Sequence, residues 1–411
     1  MLRRIVRPCL AGVLALGLAG CAGDVRGVLL PVAKAAPDAS RVTMLVATTR
    51  AADPDAGLLF SGERGTPTFA EITISVPNEA RRKVGEVQWP KSLPGDPETD
   101  FVTLKVEKLD QKGAVSRFNQ AVKKVPKRRV MVFIHGFNNR FEDAVYRFAQ
   151  IIHDSNAEVV PILFTWPSRG SVFAYGYDRE SGNYSRRALE NLFQALARDP
   201  AVGEVSVLAH SMGNWVTLEA LREMSIRNGT ISPKIANVML AAPDVDVDVF
   251  RSQVADMEGR RPKFTLFVSQ DDRALAVSRR VWGSTARLGA IDPDAEPYRS
   301  QLEKAGITVL NLTSLRSGDR LNHGKFAESP EVVKLIGARL IDGQPITDTR
   351  IGLGEKVMQV TAGTAAAVGS VAGLAISAPV AIVDPHTRRN FADKTDAVGQ
   401  ALRDAGSGAT D

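Results

Sequence analysis

From Val130 onward, short apolar runs rich in β-branched residues recur between stretches whose apolar positions return every three or four residues. The runs at 130–134, 159–164, 205–209, 235–241, 264–268 and 307–312 end in turn-forming residues and read as strands. The intervening stretches at 141–153, 185–197, 215–226 and 274–282 carry the apolar stripe of helices that pack one face on a sheet. This alternation predicts the α/β class, a mostly parallel sheet with helices on both faces. Upstream, 71–76, 85–89 and 102–109 read as strands joined by turn-type junctions, an antiparallel edge that begins the same sheet. No internal repeat interrupts the pattern.

The run 205–209 passes directly into His210-Ser211-Met212-Gly213-Asn214, and a helical pattern follows. A strand, a tight turn carrying serine and a helix form the nucleophile elbow, in which backbone strain holds Oγ out at the sheet edge. Ala209 stands where the first glycine of G-x-S-x-G is usual, a departure of one methyl group. Ser211 is therefore the candidate nucleophile. A serine near a glycine more often caps a helix, but the strand before and the partners downstream favour chemistry.

The base emerges by elimination among five histidines. His135 and His210 belong to motifs beside the sheet, His153 to a predicted helix and His386 to the C-terminal region. His323 remains, shortly after the last strand, where the chain order serine, acid, histidine requires it. The acid, which orients the imidazole, should follow a late strand. Asp271 and Asp272 follow run 264–268, whereas Asp244, Asp246 and Asp248 follow run 235–241. Asp272 is favoured over Asp271, and both over Asp244. An unused aspartate in either cluster would cap the next helix. His135-Gly136-Phe137-Asn138, at the end of run 130–134, supplies a turn whose amides can face a developing oxyanion. Phe137 and Met212 are the candidate donors, with His135 in a structural role.

Val46-Ala47-Thr48-Thr49-Arg50, Ser61-Gly62-Glu63-Arg64-Gly65, Phe133 to Asn138, Phe164-Thr165-Trp166-Pro167-Ser168, Ala209 to Gly213 and Ser269 to Leu275 together resemble a family of bacterial α/β-hydrolases of unassigned function, esterase- or lipase-like. The likeness spans about residues 42 to 340. It implies the α/β-hydrolase fold, an acid placed just before x-Ala-Leu, which is Asp272, and a histidine at His323. It also implies that Trp166, Ser168 and Tyr177 line the pocket, and it brings no substrate.

Composition changes this picture little. The chain is 44% hydrophobic and 24% charged, ordinary for a globular domain. Its formal charge is +6, and removal of Arg3, Arg4 and Arg7 with a leader leaves +3, no electrostatic case for nucleic acid despite the run Lys123, Lys124, Lys127, Arg128 and Arg129. Both cysteines, Cys9 and Cys21, precede the body, so a disulfide framework, a thiolate metal site and cysteine catalysis are all unexpected. The histidines lack ligand spacing; neither a metal nor another cofactor is implied.

Those arginines precede the apolar run from Cys9 to Leu18, which ends in Leu18-Ala19-Gly20-Cys21, the pattern of a lipoprotein signal. Residues 1–20 are expected to be removed, Cys21 to carry lipid, 21–40 to form a tether, 41–345 to form the hydrolase domain and 346–411 a C-terminal segment rich in small residues. Within that last segment, 357–383 has no charged residue and is long enough to cross a bilayer, but it is weakly hydrophobic and interrupted by Pro379. A span, a surface helix and a partner contact all fit. The expected partners are a small-molecule or lipid acyl substrate and the membrane, at the cell envelope. The leading reading is a lipid-anchored serine hydrolase. Its rival is a non-enzymatic envelope lipoprotein that uses a hydrolase fold for binding or assembly.

Overall fold

The computed structural model describes residues 25–281, 285–315 and 319–342; Cys21 and the segment expected as a signal, and residues 346–411, lie outside them. Nine strands form one sheet: β1 (Ser40–Ala52), β2 (Phe60–Val76), β3 (Val102–Leu109), β4 (Arg129–Ile134), β5 (Val160–Thr165), β6 (Glu204–His210), β7 (Ile235–Ala241), β8 (Lys263–Val268) and β9 (Thr308–Asn311). Their order across the sheet is β3-β2-β1-β5-β4-β6-β7-β8-β9. The first three pair antiparallel, and every pairing from β1–β5 to β8–β9 is parallel. This is the expected mostly parallel sheet with an antiparallel edge.

The period of two in β4 explains the layering. Val130, Val132 and Ile134 enter one core, and Met131 and Phe133 enter the other. Helices α1 (Gln111–Val122), α3 (Tyr175–Arg198), α4 (Gly213–Asn228) and α5 (Val247–Ala255) cover the first core through residues such as Val122, Phe193, Leu221 and Phe250. On the opposite side, α2 (Phe141–Ser155) and α9 (Pro330–Asp342) contribute Val145, Phe148, Val332 and Ile336. The helices α6 (Arg273–Val281), α7 (Tyr298–Ala305) and α8 (Lys325–Glu328) complete the crossovers after β8 and β9.

Two expectations need correction. Residues 85–89 form no strand: Val87 and Trp89 pack as a loop against the second core, with Trp89 stacked on Tyr146 at 4.9 Å. Helix α3 begins ten residues earlier than the apolar stripe from 185 suggests, because Ser181, Gly182 and Ser185 make a buried face thin enough to lie on α4. Of the segment expected as a tether, residues 25 to 39 are described and partly packed on the domain. Leu29 is fully buried, and the Val28 carbonyl accepts from Thr103 Oγ1 at 2.9 Å and Tyr146 OH at 3.0 Å. Burial of one leucine stabilises by about 1.5–3 kcal/mol, enough to fix the strand entry.

Candidate active site

Ser211 lies between β6 and α4 with φ of 53°, the left-handed region that a non-glycine residue adopts at a cost of about 1–3 kcal/mol. Its neighbours hold it there. Ser211 N donates to Ala241 O at 2.9 Å, Ser211 O accepts from Asp244 N at 3.2 Å, and buried Asn214 donates Nδ2 to both Ser211 O (2.9 Å) and Ala241 O (3.0 Å). The elbow read from the sequence is thus present as geometry.

The turn after β4 is built against it. A Cβ at Gly136 would lie 2.8 Å from Ser211 Cβ, and one at Gly213 would lie 2.4 Å from His135 O. Each turn therefore admits only glycine at the point where the other crosses it. No hydrogen bond among the described residues occupies the amides of Phe137 or Met212, which flank this crossing. The Phe137 ring meets Tyr175 edge-on at 5.1 Å.

Of the acids, Asp272 is the one that meets His323: Nδ1 donates to Oδ2 at 2.6 Å, and the carboxylate is fully buried. Its Oδ1 accepts from Leu275 N at 3.0 Å, so one side chain both caps α6 and orients the imidazole. Burial lowers the pKa of His323, but the hydrogen bond and charge of Asp272 outweigh it, and the net shift is upward. Asp271 is instead an ion-pair partner of buried Lys325 at 2.7 Å and accepts from Asn322 Nδ2 at 2.8 Å. Asp244 accepts from Ser278 Oγ (2.7 Å) and Tyr175 OH (2.9 Å) beside Arg287. Both alternatives to Asp272 are already committed to other partners.

The His210 ring lies 4.7 Å from the His323 ring, tilted by 47°, and its Nε2–H donates to His323 O at 3.3 Å. Burial, then the neighbouring charge of His323, push its pKa well below the usual value. It stays neutral, which spares His323 a rival cation. His135 is held near pKa 3, first by burial and then by Arg50. Its Nε2 accepts from Trp166 N at 3.2 Å and faces Arg50 Nη2 at 3.3 Å, which leaves Nδ1–H to donate to Gly136 O at 2.8 Å. The structural role expected for His135 fits these bonds.

Residues 110–339 match the family model described as alpha/beta hydrolase of unknown function (DUF900), more than half of the chain. The chain belongs to this family. A relative, the uncharacterized protein alr1448 of Nostoc sp. strain PCC 7120, is 26% identical over 132 residues, covering 26% of this chain and 34% of its own length. The chain thus spans about a third of that relative. A solved structure of a candidate cell surface hydrolase from Lactobacillus plantarum WCFS1 shares 10% identity, covers 53% of this chain and 93% of its own, and has a TM-score of 0.31.

In this DUF900 hydrolase, three supporting residues were given no role by the sequence: Arg50 stood within a quoted motif without one, and Asp178 and Asp319 stood in none. Arg50, fully buried, donates to Ser168 O at 2.8 Å and Asn139 O at 2.8 Å, tying β1 to the loops after β4 and β5; burial lowers its pKa to about 10. Asp178 accepts from Ser168 Oγ, Arg169 N and Asn138 N, bracing the turn that carries Phe137. Asp319 accepts from His323 N at 2.7 Å and Gly324 N at 3.1 Å. The available clue to Arg50 was its place at the end of the motif Val46-Ala47-Thr48-Thr49-Arg50. Trp166 and Ser168, expected to line the pocket, are fully buried: Trp166 stacks on His135 at 4.9 Å, and Ser168 serves Asp178. Tyr177 lies outside beneath Arg169, 3.6 Å from its ring centroid.

Proposed function

We propose that this protein is a serine hydrolase of an ester or related acyl bond, with Ser211 as nucleophile, His323 as general base, Asp272 as orienting acid, and the Phe137 and Met212 amides as oxyanion donors. The observation that carries the reading is the strained, over-determined Ser211 on the same sheet edge as the buried Asp272–His323 pair at 2.6 Å. Strain of that kind is retained where chemistry needs an exposed nucleophile. In the proposed cycle, Ser211 Oγ attacks the acyl carbon while its proton passes to His323. The tetrahedral oxyanion accepts from the two amides, and its collapse expels the alcohol, which takes the proton from His323. Water activated by His323 then releases the acid and restores Ser211. A fluorophosphonate probe should label the protein, with the adduct mapped to Ser211 by mass spectrometry; a wild-type chain that takes no label would leave the non-enzymatic envelope reading in its place.

The raised pKa of His323 sets the pH dependence. Only neutral imidazole accepts the serine proton, so kcat/KM should rise with pH through a limb above 6.5, the ordinary histidine value, and plateau beyond it. A limb at or below 6.5 in the wild type would contradict the Asp272–His323 pairing.

We also place the protein at the cell envelope through a lipid on Cys21, in the outer membrane where the host has two membranes, since Ala22 and not aspartate follows the cysteine. The motive is Leu18-Ala19-Gly20-Cys21 after a charged and apolar leader. Cys21→Ala should shift the protein from the detergent to the aqueous phase, and mass spectrometry of the wild-type N-terminus should find an acylated Cys21. An unmodified Cys21 would remove the anchor from the proposal.

A further inference from the structure

We propose that the surface formed by α6 and its two neighbours is a docking face for an anionic lipid membrane, which presents a lipid acyl ester to Ser211. The docking stands on its own observations; the choice of substrate rests on the hydrolase reading above. Helix α6 follows Asp272 directly and buries Leu275 and Ser278, while Val277 and Val281, one turn apart, stay exposed. On one side, Arg273 N donates to Leu321 O at 2.9 Å, joining α6 to the loop of His323, where Leu321 is itself exposed. On the other side, Tyr175 OH lies 3.4 Å from Ser278 Oγ, joining α6 to the segment that carries Val172 and Phe173. Phe173 is 97% exposed. Five exposed large apolar side chains thus fall on the three segments around the candidate site.

Charge identifies the occupant. Between Arg273 and Val281 there is no acidic residue, and Arg273, Arg279, Arg280 and nearby Arg320 are exposed with no ion-pair partner among the described residues. Some surface arginines elsewhere are paired, as in Arg81–Glu98, Arg186–Glu223 and Arg251–Asp248, and others such as Arg41 and Arg198 stand singly; what sets this face apart is four of them gathered around one short helix. Of the acids on these segments, Asp271 is already bound by Lys325, and Asp319 accepts from the amides of Leu321, His323 and Gly324. Apolar residues interleaved with free arginines suit the boundary between acyl chains and anionic headgroups. A protein partner would supply acidic residues to a fixed shape, whereas the apolar positions here stand out singly from separate segments.

The folded body has no cysteine of its own, so in a chain with Cys9→Ser and Cys21→Ser the substitution Ala276→Cys, at an exposed position, takes a polarity-sensitive fluorophore at one place. The labelled full chain is mixed with phosphatidylcholine vesicles that contain or lack phosphatidylglycerol. With Cys21 replaced no lipid anchor contributes, and the two vesicles differ only in charge. Emission should shift to the blue with phosphatidylglycerol alone, and the shift should fade as salt is raised. Arg279→Gln with Arg280→Gln should raise the lipid concentration needed by about 30-fold. Val277→Ser with Val281→Ser should abolish the shift, and both pairs should keep turnover of a soluble ester within about twofold. Labelled Ser211→Ala should dock like the parent, so a failed hydrolase reading and a failed docking face give different results. Equal emission with both vesicles, or either surface pair titrating like the parent, would overturn the docking face.

Discussion

Ser211→Ala is expected to lower the turnover of short-chain aryl esters by about 10⁴- to 10⁶-fold while leaving circular dichroism unchanged. The nucleophile and its base act as one unit, so His323→Ala and the double variant should lose similar factors rather than the product of the two. Alanine also suits the fold test, because it removes Oγ alone and leaves the bonds of Ser211 N and O to Ala241 and Asp244 in place. The comparison should be run at a pH above the raised pKa of His323, where the wild type is fully active. Additive losses, or equal rates for wild type and Ser211→Ala on esters, thioesters and peptides, would remove the shared mechanism.

Asp272→Asn should impair turnover by about 10⁴-fold, because an amide at this position can stabilise the wrong imidazole tautomer and no longer balances its cation. The residual activity should also have its acid limb displaced to lower pH: the hydrogen bond and charge that raise the pKa of His323 are removed, while the burial that lowers it remains. Helix capping survives in this variant, since an amide oxygen still accepts from Leu275 N. Asp244→Asn should leave most activity, as its carboxylate is held by Ser278, Tyr175 and Arg287. If Asp244→Asn proves the more damaging change, the orienting acid belongs after β7.

The parallel strands were legible because each is apolar on both sides and bounded by turn residues, which is what burial under two helical layers demands. Strand β1 was not, since Thr48, Thr49 and Arg50 interrupt its apolar run although all three are buried. Their polarity is satisfied by contacts far along the chain, with Ser185, Thr165 and Ser168, which no local window contains. The same limit applied to the site. Chain order and elimination reached His323, and the preference for Asp272 over Asp271 was supported by a resemblance rather than by any contact a sequence displays. What distinguishes those adjacent aspartates physically is the buried amine of Lys325, which neutralises one and leaves the other to the imidazole.

The mutual fit of Gly136 and Gly213 has a consequence for transplanting this centre into another scaffold. With Ser211 Cβ and His135 O as the surfaces they press upon, segments 135–137 and 211–213 form a matched pair, each the mould of the other. A graft of the serine segment alone would meet a foreign turn with no space cut for it. The smallest portable unit is therefore both turns together, carried on two adjacent parallel strands in the register that sets Ile134 beside Ala209.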